Sequence, residues 1–167
     1  MSSAGVERWV VNASPVILLA KAGVIHLLPQ LCAELVVPAG VRDEVRTGRM
    51  ADAGRAWLDT TGRSFVREVP PVPHPALARW HGGAGEAEVI SWALQNPGFI
   101  AVLDDRAARL LATRVGVPVF GSLRVIVRAK ERGLIPLARP ALEKLRGAGA
   151  YVSDALIDRA IALAGEA

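Results

Sequence analysis

Short runs of consecutive apolar residues alternate along this chain with longer stretches in which apolar positions recur every three or four. The continuous runs are Trp9-Val10-Val11, Leu35-Val36-Val37 closed by Pro38, Phe99 to Leu103, and Val117-Pro118-Val119-Phe120, with a weaker one over 65–69. Unbroken apolar runs of this length predict strands buried on both faces. The periodic stretches predict helices. The first begins with Ser14 as N-cap and Pro15 at the first helical position, and stops near Gly23. Others cover 24–31 (bent or ended near Pro29), 39–47, a segment around Trp57, 84–95 ended by Asn96-Pro97-Gly98, and a helix from Asp104-Asp105 to Val115. Three more cover 122–132, about 138–146 and 154–164. Pro70 to Pro75 predicts an extended loop. Strands alternating with helices give the fold class: α/β, a three-layer α/β/α sandwich around a mainly parallel sheet of four to five strands, over residues 1–167 as one domain.

Composition narrows this picture without altering it. Apolar residues make up 51% of the 167, which argues against disorder. The longest aliphatic runs are about five residues, far short of the roughly 20 that a membrane span needs. Asn12 and Pro15 interrupt the first apolar stretch, so no secretion leader is expected. The single cysteine, Cys32, excludes an internal disulfide and a cysteine-built zinc site; a cytoplasmic protein is the expectation. The net charge of +4 is uneven. Residues 1–100 are neutral, residues 101–150 carry a net +6, and residues 151–167 a net −2. Such a basic excess suits a polyanion, and equally a well-solvated surface.

In open α/β sheets, sites form beyond the carboxyl ends of the strands. Asn12 and Ser14 follow the first strand; Asp104 and Asp105 follow the Phe99 run. Two acids distant in sequence qualify by helical phase. Glu44 falls about 300° from Val41 and next to Val45, on the apolar stripe of its helix, while Asp43 groups with Arg42 and Arg46 outside. Glu86 aligns with Ile90 and Ala93, whereas Glu88 points along the Trp92 side. Each acid also has an ordinary use, as an N-cap or in a first helical turn. Together, with no cysteine partner and little histidine, they form a hard oxygen set suited to Mg²⁺ or Mn²⁺. His26, His74 and His81 show no ligand spacing. The glycines around Glu86 lack the Lys-Ser/Thr of a phosphate-binding loop and give the backbone freedom to place that acid.

At this point the chain resembles the PIN-domain family from about Val10 to Ile161. The carrying segments are V-V-N-A-S-P-V-I-L-L-A-K-A-G at 10–23, V-V-P-A-G-V-R-D-E-V at 36–45, G-E-A-E-V-I-S-W-A at 85–93 and V-L-D-D-R-A-A-R-L-L-A at 102–112. They continue with V-P-V-F-G-S at 117–122, A-K-E-R-G-L-I-P at 129–136 and V-S-D-A-L at 152–156. These resemble a VapC-like subfamily with N-A-S-P in its first motif. The resemblance implies metal-dependent RNA cleavage, often by a toxin held by a cognate antitoxin, and a homodimer. Carried over by position, Glu44, Glu86 and Asp105 are the metal-binding acids, with Asp104 beside them. Ser14 supports the corner. Arg106 is the first choice for phosphate contact, followed by Arg109, Arg124, Arg128, Lys130 and Arg132. Asn12 stands where most of the family carries an aspartate. That departure keeps an alternative open: a catalytically weakened module that binds RNA or protein. A phospho-acceptor receiver domain fits less well, because it needs its acidic pair after the first strand.

Overall fold

The computed structural model describes residues 7–49 and 51–166. Five parallel strands form one sheet in the order β3-β2-β1-β4-β5. They are β1 Arg8–Val11, β2 Glu34–Pro38, β3 Val66–Arg67, β4 Phe99–Val102 and β5 Val119–Phe120. Trp9, Val10 and Val11 on the central strand are fully buried, as are Val36 and Val37 beside them. This is what the unbroken apolar runs require of a sheet covered on both faces. The edge strands β3 and β5 are only two residues long, shorter than the runs at 65–69 and 117–120. The proline loop after Val69 cuts off the first. Short edges also leave little unpaired backbone for another chain to join.

The helices are α1 Ala13–Lys21, α2 Leu28–Leu31, α3 Ala39–Thr47, α4 Asp52–Asp59, α5 Pro75–Ala78, α6 Ala84–Gln95, α7 Arg106–Arg114, α8 Ser122–Glu131, α9 Ala138–Gly147 and α10 Asp154–Leu163. α6 lies across β2, β1 and β4, and α7 against β5, while α1, α8, α9 and α10 pack together as the opposite layer. The α/β/α sandwich is therefore as the apolar pattern indicates. Among the described residues no single helix is long and apolar enough to cross a membrane.

Two local expectations are corrected. The N-cap of α1 is Asn12, not Ser14. Asn12 is extended, and its carbonyl accepts the Val16 N–H at 3.4 Å. Helix therefore starts two residues earlier, and Pro15 sits in the first turn, where an N–H is not needed. The stretch 24–31 divides into a 3₁₀ turn, Ile25–Leu27, and the single turn α2, with Pro29 in α2's first turn. The stretch from Pro70 to His74 has no helix or strand, as expected, and α5 begins at Pro75, with the His74 Nδ1 accepting from the Ala76 N–H at 3.1 Å. Elsewhere Trp57 is buried and stacks on Phe65. His26 is exposed. The Cys32 thiol donates to the Leu28 carbonyl, and burial pushes its pKa up to about 12, so it stays protonated and inert.

From β1 the chain steps to β2 and β3 on one side, then crosses to β4 and β5 on the other. The strand order thus reverses between β1 and β4, where such sheets open a crevice at their carboxyl ends. Val11 is in register with Val102, and the Asn12 N–H donates to the Val102 carbonyl at 3.1 Å. That bond closes the floor of the crevice.

Candidate functional site

Every acid read from the sequence accepts a hydrogen bond from the backbone at a helix N-terminus. Asp105 is the N-cap of α7, its Oδ2 accepting from the Ala108 N–H at 2.9 Å. Such a cap contributes about 1 kcal/mol. Glu86, in the first turn of α6, reaches back so that Oε2 accepts from the Gly83 N–H at 2.7 Å. Glu44 comes from α3, and its Oε1 accepts from the Gly85 N–H at 2.9 Å. It is exposed rather than inward-facing, yet the stripe argument aimed it correctly, since Val41 faces the same glycine.

The pairing is reciprocal. Glu88 of α6 accepts from the Gly40 N–H of α3 at 3.2 Å, so each helix caps the second residue of the other. Both receiving residues are glycines because of crowding. A Cβ on Gly85 would stand 2.7 Å from Glu44 Oε1, and one on Gly40 would overlap the Glu88 carboxylate. At Gly83 a Cβ would meet Glu86 Oε2 at 3.0 Å and Glu44 Oε1 at 3.2 Å. Two carboxylates from different elements therefore converge on one bare turn of backbone.

Asp104 is placed differently. Its Oδ1 accepts from the Ser122 N–H at 2.8 Å and its Oδ2 from the Ser122 hydroxyl at 2.6 Å. Both oxygens are committed to starting α8 and to fixing β4 against it. Ser122 is almost wholly buried, and its role was missed in the sequence, where Gly121-Ser122 reads only as a turn. Glu44, Glu86 and Asp105 each keep one oxygen outside these bonds. Asn12 completes the set. It is buried, and its Oδ1 has no hydrogen-bond partner. An unpaired buried oxygen costs roughly 1–3 kcal/mol, and this one belongs to the amide that acts on Glu86.

Burial pushes the Glu86 pKa above its ordinary value. The Gly83 N–H opposes this, the charges of Asp105 and Glu44 add to it, and the Asn12 amide draws it back slightly. Glu88 is raised too, first by burial and then by Glu68, Asp43 and Glu44. A raised carboxyl binds its proton more tightly in the folded than in the unfolded chain. The folded state is therefore penalised above the raised pKa and relieved below the ordinary one, with stability falling as pH rises between them. Glu86→Gln should raise the melting temperature in EDTA at pH 8 and have a smaller effect at pH 4. Equal shifts at both pH values, in thermal melts, would refute this.

Ser14, Glu86, Asp104 and Asp105 line one cleft of about 780 Å³, which continues past Arg109 and Arg124 to Tyr151 and Arg159. Arg109 and Arg106 lie at the start of α7, beside Asp105. Arg128, Lys130 and Arg132 do not join them, because they lie in the far half of α8 and at its C-cap. Arg128 pairs with Glu7 at 3.1 Å and Glu131 at 3.5 Å, and Arg132 donates to the Leu31 carbonyl. Glu7 immediately precedes β1, so these contacts belong to the opposite end of the sheet. Helical phase alone could not show which end of α8 faces the acids. Arg159 and Tyr151 are cleft residues that the sequence reading did not single out.

Among the described residues no three His, Cys, Asp or Glu side chains stand close enough to enclose an ion by themselves. Mg²⁺ does not demand that. It commonly takes one or two carboxylates and keeps several waters, and the free oxygens here are of the hard type it prefers.

Comparison with known proteins gives a family match. A family model described as DUF3368, PIN domain, matches residues 8–166. No curated protein and no solved structure matches the chain.

Proposed function

The chain belongs to the PIN-domain family, whose members are generally nucleases, and on that premise we propose that it is a Mg²⁺- or Mn²⁺-dependent endoribonuclease of the VapC-like, N-A-S-P type. In this reading it is the toxin of a pair, restrained by a cognate antitoxin, and works as a homodimer. The observation that carries the chemistry is the convergence at the β1–β4 crevice. Glu86 feels the charges of Asp105 and Glu44 and the amide of Asn12, whose buried Oδ1 is unpartnered, and each of the three acids keeps one oxygen outside its backbone bond.

Glu86 and Asp105 would hold the ion with the Asn12 oxygen, and Glu44 would complete its surroundings. A bound divalent cation lowers the pKa of a coordinated water and offsets charge on the phosphate under attack. The chain's own groups do the rest. Arg109 and Arg106 hold the phosphate. Asp104, through Ser122, holds β4 and α8 in place, and so positions Asp105 on the following residue. The helix N-termini that anchor Glu44, Glu86 and Asp105 fix one oxygen of each and leave the other free.

Incubating the purified chain with varied single-stranded and structured RNAs tests the reading. Cleavage is expected with Mn²⁺ and not with EDTA, and calorimetry should register Mn²⁺ uptake. Intact RNA throughout, with no heat of Mn²⁺ binding, would overturn it. A second reading has its own observation. Asn12 supplies an oxygen but no charge, so a module that binds RNA or a protein partner with little turnover fits the same pocket.

A further inference from the structure

The cleft extends well beyond the acids, and its far end has a definite chemistry. Tyr151 stands in the loop before α10 and is fully exposed. A single exposed aromatic is unremarkable. This one lines the same cleft as Arg159, Arg124 and the apolar side chains Leu156 and Leu163 of α10.

The charges around it are sorted. The two acids of α10 are neutralised by α9: Asp154 by Arg146 at 2.6 Å, and Asp158 by Arg139 at 3.4 Å. Arg139 and Arg146 are thereby occupied away from the cleft, as Arg128 is on α8. Arg109, Arg124 and Arg159, which do line the cleft, have no ion-pair partner among the described residues. The wall therefore presents three uncommitted guanidinium groups, an aromatic face and an apolar floor, leading to an acidic pocket.

We propose that this wall is a track for unpaired nucleic acid, with Tyr151 as a stacking platform for one base and Arg159 and Arg124 as contacts to the flanking phosphates. The inference rests on the nuclease reading for the direction in which the strand runs, toward Glu86 and Asp105. An exposed ring stacks on any base whose face is free, and in a duplex that face is covered by the neighbouring pair. Selection of single strands follows from Tyr151 rather than from the acids. The uncommitted arginines favour a polyanion over a protein partner, for which the apolar floor alone would suffice.

Fluorescence anisotropy on the full chain in EDTA tests this with a short unstructured oligoribonucleotide and its duplex as probes. The single strand should bind more tightly. Tyr151→Ala should weaken it on the order of tenfold while leaving duplex affinity unchanged, and Tyr151→Trp should restore it. Arg159→Ala should flatten the salt dependence by about one phosphate contact, a slope change near 0.7. Because Tyr151 packs against nothing, its substitutions leave the fold intact. Unchanged affinity in Tyr151→Ala, rescue by Tyr151→Leu as good as by Tyr151→Trp, or equal binding of strand and duplex would each overturn the track. The two readings fail separately. Tyr151-dependent binding without Mn²⁺-dependent cleavage removes the nuclease and keeps the track. Cleavage with Tyr151-independent binding does the reverse.

Discussion

Glu86→Gln and Asp105→Asn should each lower Mn²⁺-dependent RNA cleavage by about a hundredfold or more, with little loss of folded protein. Each amide keeps an oxygen that can still accept the anchoring N–H, from Gly83 in one case and Ala108 in the other. The helix starts therefore survive. What disappears is negative charge where an ion would be held, and losing one preorganised charged or hydrogen-bonding group at a reacting centre typically costs 10²–10³ in rate. Asp104→Asn provides the contrast. Both Asp104 oxygens accept from Ser122, and an amide has only one oxygen to offer. This variant should lose about 1–3 kcal/mol of stability, with a smaller fall in cleavage per folded molecule. Turnover at saturating Mn²⁺ alongside thermal melts separates the two classes. Glu86→Gln cleaving at the wild-type rate would remove Glu86 from the chemistry.

Asn12→Asp is the second large effect, and its sign depends on the metal. Asn12 is only 3% exposed, and its amide acts on Glu86, which already feels the charges of Asp105 and Glu44. In EDTA the introduced carboxyl is a buried charge without a partner, which costs several kcal/mol. For a chain of this length that corresponds to a melting temperature lower by roughly 5–15 °C. Lowering the pH protonates the group and returns part of the loss. Mn²⁺ should do so more completely, because ligand at a hundred times its dissociation constant contributes about 2.7 kcal/mol. Wild type should show a smaller metal-dependent shift. Melts with and without Mn²⁺ measure both, and a variant indifferent to Mn²⁺ would show that position 12 does not face the ion. New cleavage by the variant, against an inactive wild type, would decide for the weakened module.

Much of the fold was legible because its causes are local. The runs at 8–11, 35–37 and 99–103 are too apolar for anything but a sheet covered on both sides. Asp105 stands directly before an apolar-periodic helix, where capping requires it. The cleft position of Glu86 agrees with its helical phase, shared with Ile90 and Ala93. The start of α1 was misread because Asn12, Ser14 and Pro15 all satisfy helix-start rules, and the choice among them was made by pairing of Asn12 with Val102. The exposure of Glu44 was missed because a stripe gives a direction and not a depth.

The sequence by itself determined the element order, the parallel sheet and the oxygen-rich character of the acids, since these follow from periodicity, capping and residue type along neighbouring positions. Only the tertiary structure decided which charges are spent and which are free. Asp104 is committed to Ser122, 18 residues on; Glu44 and Glu88 cap each other's helices; Arg128 is held at the opposite end of the sheet by Glu7. Each outcome turns on a partner distant in the chain, and a hydrogen bond or ion pair depends on distances of a few ångströms that no local pattern encodes. The same physics leaves Asn12 with an unpaired oxygen and Arg109, Arg124 and Arg159 uncommitted along one cleft.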